Sequence, residues 1–411
     1  FYAVSSGYSV IAACPLEADS TIVTCPFTLA ITPEQSKRAL QNFLPDIPDV
    51  WNERQLMCTY MSFHRILDHP ALKHRPYLHV LPHPSKLRTP LHFTEQELEA
   101  LKGSNLYGAT LDRVREWQTE WNQCRDAIRL VNEGWALDFS WCVTLVFGFR
   151  RLYTDHSHRE HWKTVATYIS SRAFPSTLLS PHPSLVATKS SHPILLPGVD
   201  SLNHARAHPV SWVVHVPSEP DSVPEASTIS LVHHQPISAH SVEIFNNYGP
   251  KGNPELLLGY GFVMPDNPDD TIVLRVGGGG SGGTEGKRWE VGREAEGIEG
   301  LWQEVLDIVS PPSPAEDASD SDDDGETHPP QWSLHLDAAA ALQSMVEPSL
   351  DRLPATFMED VVLRPDVREM IQIYVKGQRE ILEGIARFAQ EKEEAALNSA
   401  AEQGVEVVME D

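Results

Sequence analysis

Cysteine is scarce and scattered. The 411-residue chain has five, Cys14, Cys25, Cys58, Cys124 and Cys142, and no Cys-x-x-Cys pair. Neither a disulfide framework nor a zinc cage is encoded, and a reducing compartment fits. Basic residues are also few: 32 Lys and Arg face 57 Asp and Glu, a formal net charge of −25. Nucleic-acid binding relies on clustered cations that displace counterions, so that class of partner is disfavoured and a basic protein partner suits the charge better. Long apolar runs are missing too. Nothing approaches the ~20 residues that span a bilayer, and no basic stretch followed by an apolar one opens the chain. A soluble, intracellular, monomeric protein is expected, cytoplasmic or nuclear, without membrane contact. Because the first residue is Phe1 rather than Met, the sequence is expected to be part of a longer one.

What is present is ordinary for a folded chain: 41% hydrophobic and 22% charged residues, in a length suited to two or three units of roughly 150 residues. In a first segment, residues 1–32, β-branched runs at 8–13 and 21–26 flank an acidic turn and predict a β-hairpin. From 33 to 169, Leu111, Val114, Trp117, Trp121, Cys124, Ile128 and Val131 recur at helical spacing, which predicts a helical insert. Strand signals return within 170–276, at 212–216, 228–232 and 242–245, separated by turn residues. Residues 277–333 combine a Gly-rich run with an acidic Ser/Pro stretch and read as flexible, with a short helix. Residues 334–411 are helical again, with Leu336, Ala339 and Leu342, then Val367, Met370, Ile371, Tyr374 and Ile381, on the apolar faces. The class is α+β: β, helical insert, β, helical.

Three segments have a composition odd for a purely structural role: Ser170-Ser171-Arg172-Ala173-Phe174, Gly198-Val199-Asp200-Ser201-Leu202-Asn203-His204, and the stretch from Glu243 to Pro250 that contains Asn246-Asn247-Tyr248. Together with the run from Asn247 to Phe262, with Pro76-Tyr77-Leu78, Leu81-Pro82 and Thr89-Pro90-Leu91, and with Tyr374, Gly377-Gln378 and Ile381-Leu382, the ordered set resembles the SET-domain protein methyltransferases. The branch it resembles contains the Rubisco large-subunit lysine methyltransferase and its ribosomal-protein-modifying and actin-histidine-modifying relatives. The resemblance spans most of the chain. It implies a SET-domain β fold with a pseudoknot, where the Asn203-His204 and Tyr248 segments pass each other, interrupted by a helical insert and followed by an α-helical C-terminal domain.

The same resemblance implies S-adenosylmethionine as cofactor, no metal, and a protein substrate with an accessible lysine, such as a ribosomal or translation protein. Cofactor contacts would come from Ser6, Gly7, Tyr8, Arg172, Asn203, His204 and Phe262. Tyr248 would be the catalytic tyrosine. Phe174, Asp200 and Tyr260 would line the substrate channel with it, Asp200 near the mouth. Phe174 favours lysine as acceptor, because the histidine-modifying relative carries Asn at the matching position. One departure stands out: where the family's first hairpin opens Gly-x-Gly, this chain has Gly7-Tyr8-Ser9, and the second glycine is the one that lets the backbone approach the cofactor. The alternatives are a weak or silent SET-like protein-binding module and a protein-histidine methyltransferase.

Residue chemistry is consistent with methyl transfer independently of any family. An in-line displacement from a sulfonium to an amine asks for alignment and desolvation rather than a covalent nucleophile. The amine, with an ordinary pKa of ~10.4, must first lose its proton, and burial beside a cation favours that. A tyrosine hydroxyl can orient the amine while aromatic rings wall the channel. Taken singly, Tyr248 is a turn residue, Asn203-His204 a common loop pair, and Tyr260 with Phe262 core aromatics. Nineteen histidines invite a metal reading, but His156, His158, His161, His233 and His234 have no carboxylate or cysteine at ligand spacing.

Overall fold

The β-branched run that opens the chain's first strand, β1 (Ser20–Pro26), finds its partner far away in sequence. In the computed structural model, which describes residues 8–141, 161–180, 182–186, 188–217, 227–238, 242–276, 286–310, 329–354 and 362–407, eight further strands follow. They are β2 (Phe174–Pro175), β3 (Pro193–Ile194), β4 (Asn203–His204), β5 (Val210–His215), β6 (Thr228–His233), β7 (Phe245–Asn246), β8 (Thr271–Val276) and β9 (Lys287–Gly292). Two units contain them: Phe1–Thr94 with Gly108–Lys251 and Glu255–Phe262, and Glu95–Tyr107 with Gly252–Pro254 and Val263–Asp411.

In the first unit, β6 lies between β1 and β5 in an antiparallel sheet, Thr24 opposite Ser230 and Cys25 opposite Ile229. Strand β6 alternates as a half-buried strand should, with Ile229 and Leu231 turned into a core that includes Cys25, Leu196, Val199, Leu202 and Ile244. The expected hairpin is corrected here. Residues 10–12 do not pair with β1; Ile244 N donates to the Val10 carbonyl at 2.8 Å and Ala12 N to the Val242 carbonyl at 2.9 Å. Their backbone groups are satisfied by the segment that leads into the Tyr248 run.

The helices of this unit surround a second core. Helix Glu53–Ile66 starts on a capping box between Asn52 and Gln55, which satisfies donors that the first turn leaves open. It contributes Met57, Met61 and Phe63, and the helix Trp162–Arg172 contributes Trp162, Val165 and Tyr168, all fully buried. Trp117, Cys124 and Ile128 of the helix Asn105–Val131 complete it, so the helical periodicity read in the sequence marks the buried face at these positions, while Val131, at the end of the same series, is exposed. The helix Trp162–Arg172 ends one residue before Phe174-Pro175, because a residue before proline is pushed into an extended conformation. That stop sets Arg172 at the helix end.

The second unit carries β8 and β9 in antiparallel register, Leu274 opposite Trp289. The helices Glu299–Val309, Gln331–Arg352 and Pro365–Glu402 contribute Leu301, Trp302, Ala338, Leu342, Ile381 and Ile385 to the core beside the strands. Within 277–333, where a short helix was expected, the helix Glu299–Val309 is present, and strand β9 was not expected. Strand β9 was illegible because Lys287-Arg288-Trp289-Glu290-Val291 has only two apolar side chains, and Val291 is buried solely by its partners. The Gly-rich run 277–283 and most of the acidic stretch lie outside the described residues. At the core's edge the Asp270 carboxylate is buried and accepts from the Asn253 backbone and side-chain amides at 2.5 and 2.9 Å. A methyl group on Gly377 would approach it to 2.9 Å, which accounts for glycine there. Among the described residues, no helix is long and apolar enough to cross a membrane.

Candidate active site

Strands β4 and β7 run parallel, Asn203 opposite Phe245 and His204 opposite Asn246. A two-residue ladder holds little by itself, so side chains lock it. Tyr248 N donates to His204 Nδ1 at 3.0 Å, which makes Nδ1 the acceptor and puts the imidazole proton on Nε2. The His204 ring stacks on Tyr248, centroids 5.0 Å apart, and Tyr248 stacks on Tyr260 at 5.1 Å. Phe262 meets Tyr260 edge-on at 6.3 Å. Offset stacks of this kind add to the burial that fixes each ring.

Tyr260 is placed by a wide helical turn, Leu256–Tyr260, closed by Gly261 at φ +83°. Such π-type turns are uncommon in proteins. A side chain at Gly261 would meet the Arg88 backbone at 2.9 Å, so the Arg88–Thr89 loop and the turn approach as closely as only glycine allows. Tyr248 donates its hydroxyl proton to the Leu202 carbonyl at 2.7 Å. Burial pushes both Tyr248 and Tyr260 above the ordinary phenol range, so both are neutral hydroxyls.

Asp200 departs from its expected place at a channel mouth. Its side chain is only 1% exposed. The turn at Gly198, φ +90°, directs it inward, where the Tyr77 hydroxyl donates to Oδ2 at 2.5 Å. Arg172 Nη1 donates to the Asp200 carbonyl oxygen at 2.7 Å and stands 3.7 Å from Oδ2. Desolvation raises the carboxyl above its usual range despite Arg172 and Tyr77.

Two cavities adjoin this cluster. The first is lined by Tyr8, Ser9, Asn203, His204, Glu243 and Phe262 together with the loop from Lys86 to Thr89. The second is lined by Phe174, Pro175, Leu185, Asn247 and Lys251. Ser171, Arg172, Asp200, Tyr248 and Tyr260 face both and form the partition. Of the residues singled out from sequence, Ser6 and Gly7 lie outside the described residues, and the others are brought into these two walls. Glu243, Lys251 and the Lys86–Thr89 loop were not foreseen. The loop could have been suspected from the glycine at 261, whereas Glu243 and Lys251 carry no sequence signal beyond proximity to Tyr248.

No family model matches the chain. It is 31% identical over 269 residues to the ribosomal lysine N-methyltransferase set10 of Schizosaccharomyces pombe, a match covering 66% of this chain and 42% of that protein. It is 30% identical over 227 residues to ribosomal lysine N-methyltransferase 1 of Saccharomyces cerevisiae, covering 50% and 34%. Among solved structures, the SET domain of LSMT bound to lysine and AdoHcy superposes with a TM-score of 0.68 at 16% identity, over 96% of this chain and 87% of that one. The chain has the SET-domain fold. In this SET domain the crossing expected of the Asn203-His204 and Tyr248 segments is the parallel pair β4–β7. Rubisco LSMT bound to AdoMet gives a TM-score of 0.65 at 16% identity, covering 98% and 91%. The SET chain spans less than half the length of the curated relatives it matches.

Proposed function

We propose that the chain is an S-adenosylmethionine-dependent protein-lysine N-methyltransferase acting on a basic ribosomal or translation protein, as a monomer, in the cytoplasm or nucleus. The observation that carries this is the shared partition: two cavities separated by Arg172, Asp200, Tyr248 and Tyr260, the arrangement needed by a reaction whose two partners approach from opposite sides. The names of the relatives, both lysine N-methyltransferases of ribosomal proteins, support the choice of acceptor and substrate class.

The first cavity fits the cofactor by its donor set. Asn203 and Arg172 offer polar contacts, and His204 and Phe262 offer ring faces. Bound there, S-adenosylmethionine supplies an electrophilic methyl group. Tyr8, Arg172, Asn203, His204 and Phe262 would hold it, and the resemblance adds Ser6 and Gly7. On the other side, Phe174 and Tyr260 wall the acceptor. Tyr248, its proton engaged by Leu202, keeps oxygen lone pairs that accept from the amine N–H and aim the nitrogen lone pair. A neutral phenol is not the base here; deprotonation follows from burying the ammonium. We further propose that residues 33–169 serve as the insert that shapes this site and 334–411 as the part that selects the protein partner.

Calorimetric titration with S-adenosylmethionine should show binding, and incubation with ribosomal proteins and labelled cofactor should place the label on lysine by mass spectrometry. Binding without transfer to any protein would support a silent binding module instead, and label on histidine would support the other alternative.

A further inference from the structure

Asn203 has an amide nitrogen with two N–H bonds and three acceptors within reach. Glu243 Oε1 lies at 2.7 Å, the Tyr8 carbonyl oxygen at 3.3 Å and Ser9 Oγ at 3.3 Å. Which end of an asparagine amide is nitrogen is ordinarily an assignment. Here chemistry decides it, because an ionised carboxylate only accepts and the end facing Glu243 must donate. Oδ1 is then the end left to accept, without a partner among the described residues, on a side chain that lines the first cavity.

The clamp has a common backbone support. Ile11 and Glu243 form an antiparallel bridge, and the bonds from Ile244 N to Val10 O and from Ala12 N to Val242 O flank it. The segment that carries Ser9 therefore also positions the residue that carries the carboxylate. Ser9 stands where the related hairpins have glycine, and its hydroxyl joins the network instead of merely obstructing the backbone.

We infer that Glu243 and Ser9 are positioning residues that set the Asn203 amide, so that the first cavity presents a carbonyl acceptor to an N–H donor of its ligand. The inference rests on the cofactor reading above, since S-adenosylmethionine carries such donors on its amino-acid and adenine ends. A half-turn of the amide would present N–H groups to those donors and leave the carbonyl against the carboxylate.

The test exchanges donor and acceptor across the pair. Calorimetry and initial rates are measured for the wild type, Glu243→Ala, Glu243→Gln, Asn203→Asp and the double variant Asn203→Asp/Glu243→Gln, with thermal unfolding to confirm folding. Glu243→Ala should bind the cofactor about tenfold more weakly, with its KM raised alike and kcat at saturation unchanged, while Glu243→Gln stays within about threefold because its carbonyl still accepts. Asn203→Asp sets two carboxylates together and should bind poorly at about pH 8, recovering as falling pH lets them share a proton. The double variant restores one donor and one acceptor with reversed polarity and should recover binding to within about threefold of the wild type. Wild-type affinity in Glu243→Ala, or a double variant no better than Asn203→Asp alone, overturns the clamp while leaving the cofactor reading intact. Should Glu243→Ala fail to fold, the double variant decides. A wild-type chain that does not bind S-adenosylmethionine removes both.

Discussion

Asp200 and Asn203 stand three residues apart on one segment and are held in opposite ways. Asp200 is sealed from water, gripped by the Tyr77 hydroxyl and beside Arg172, and burial raises its pKa. Asn203 is half-buried and held by an open network of Glu243, Tyr8 and Ser9. Between them, the Leu202 carbonyl accepts a hydrogen bond from the Tyr248 hydroxyl. Position is secured by exclusion of water on one side and by hydrogen-bond direction on the other. The first kind of restraint should show itself in stability and the second in ligand affinity, with turnover depending on the residue between.

The largest effect should come from that middle point. Tyr248→Phe is expected to lower kcat by about 100-fold or more, as when one preorganised hydrogen-bonding group is removed from a reacting centre. Calorimetry should find cofactor affinity within about twofold, and retained turnover would break the division of labour. Next, Tyr77→Phe removes the donor to a buried carboxylate and should cost about 2 kcal/mol in urea denaturation; a loss of cofactor affinity with no loss of stability would mean Asp200 behaves like Asn203. A pH series sharpens the same contrast. Because Asp200 is raised above its ordinary value, protonation favours the folded state. That stabilisation is complete below the ordinary carboxylate range and is lost as pH rises through the raised pKa. The Tm difference between Asp200→Asn and the wild type should therefore move in the variant's favour as pH rises from the ordinary carboxylate range through the raised pKa. A difference flat with pH contradicts the assignment. The smallest effect belongs to Ser9→Gly, which should weaken cofactor binding only about twofold, the Ser9 bond being long and shared.

Much of this contrast was invisible in the linear chain. The apolar period of the helix Asn105–Val131 was legible, since Trp117, Cys124 and Ile128 are a property of local spacing. The segments around Arg172, Asn203-His204 and Tyr248 were legible as a set because their order resembles a known family. The partner of β1 was not, because β6 lies 206 residues further along at the Thr24–Ser230 pair and strand signals carry no address. Asp200 was misplaced for the same reason: the hydroxyl that buries it comes from Tyr77, 123 residues away.

By itself the amino-acid sequence determined the helical faces, the acidic balance and the identity of the chemically unusual residues, all of which depend on local spacing or composition. Only the tertiary structure decided which backbone pairs with residues 10–12, that the Asn203 amide donates to Glu243, and that Tyr248 and Tyr260 share one wall between two cavities. Those outcomes depend on distance and direction between groups far apart in the chain, and such quantities exist only once the chain has folded.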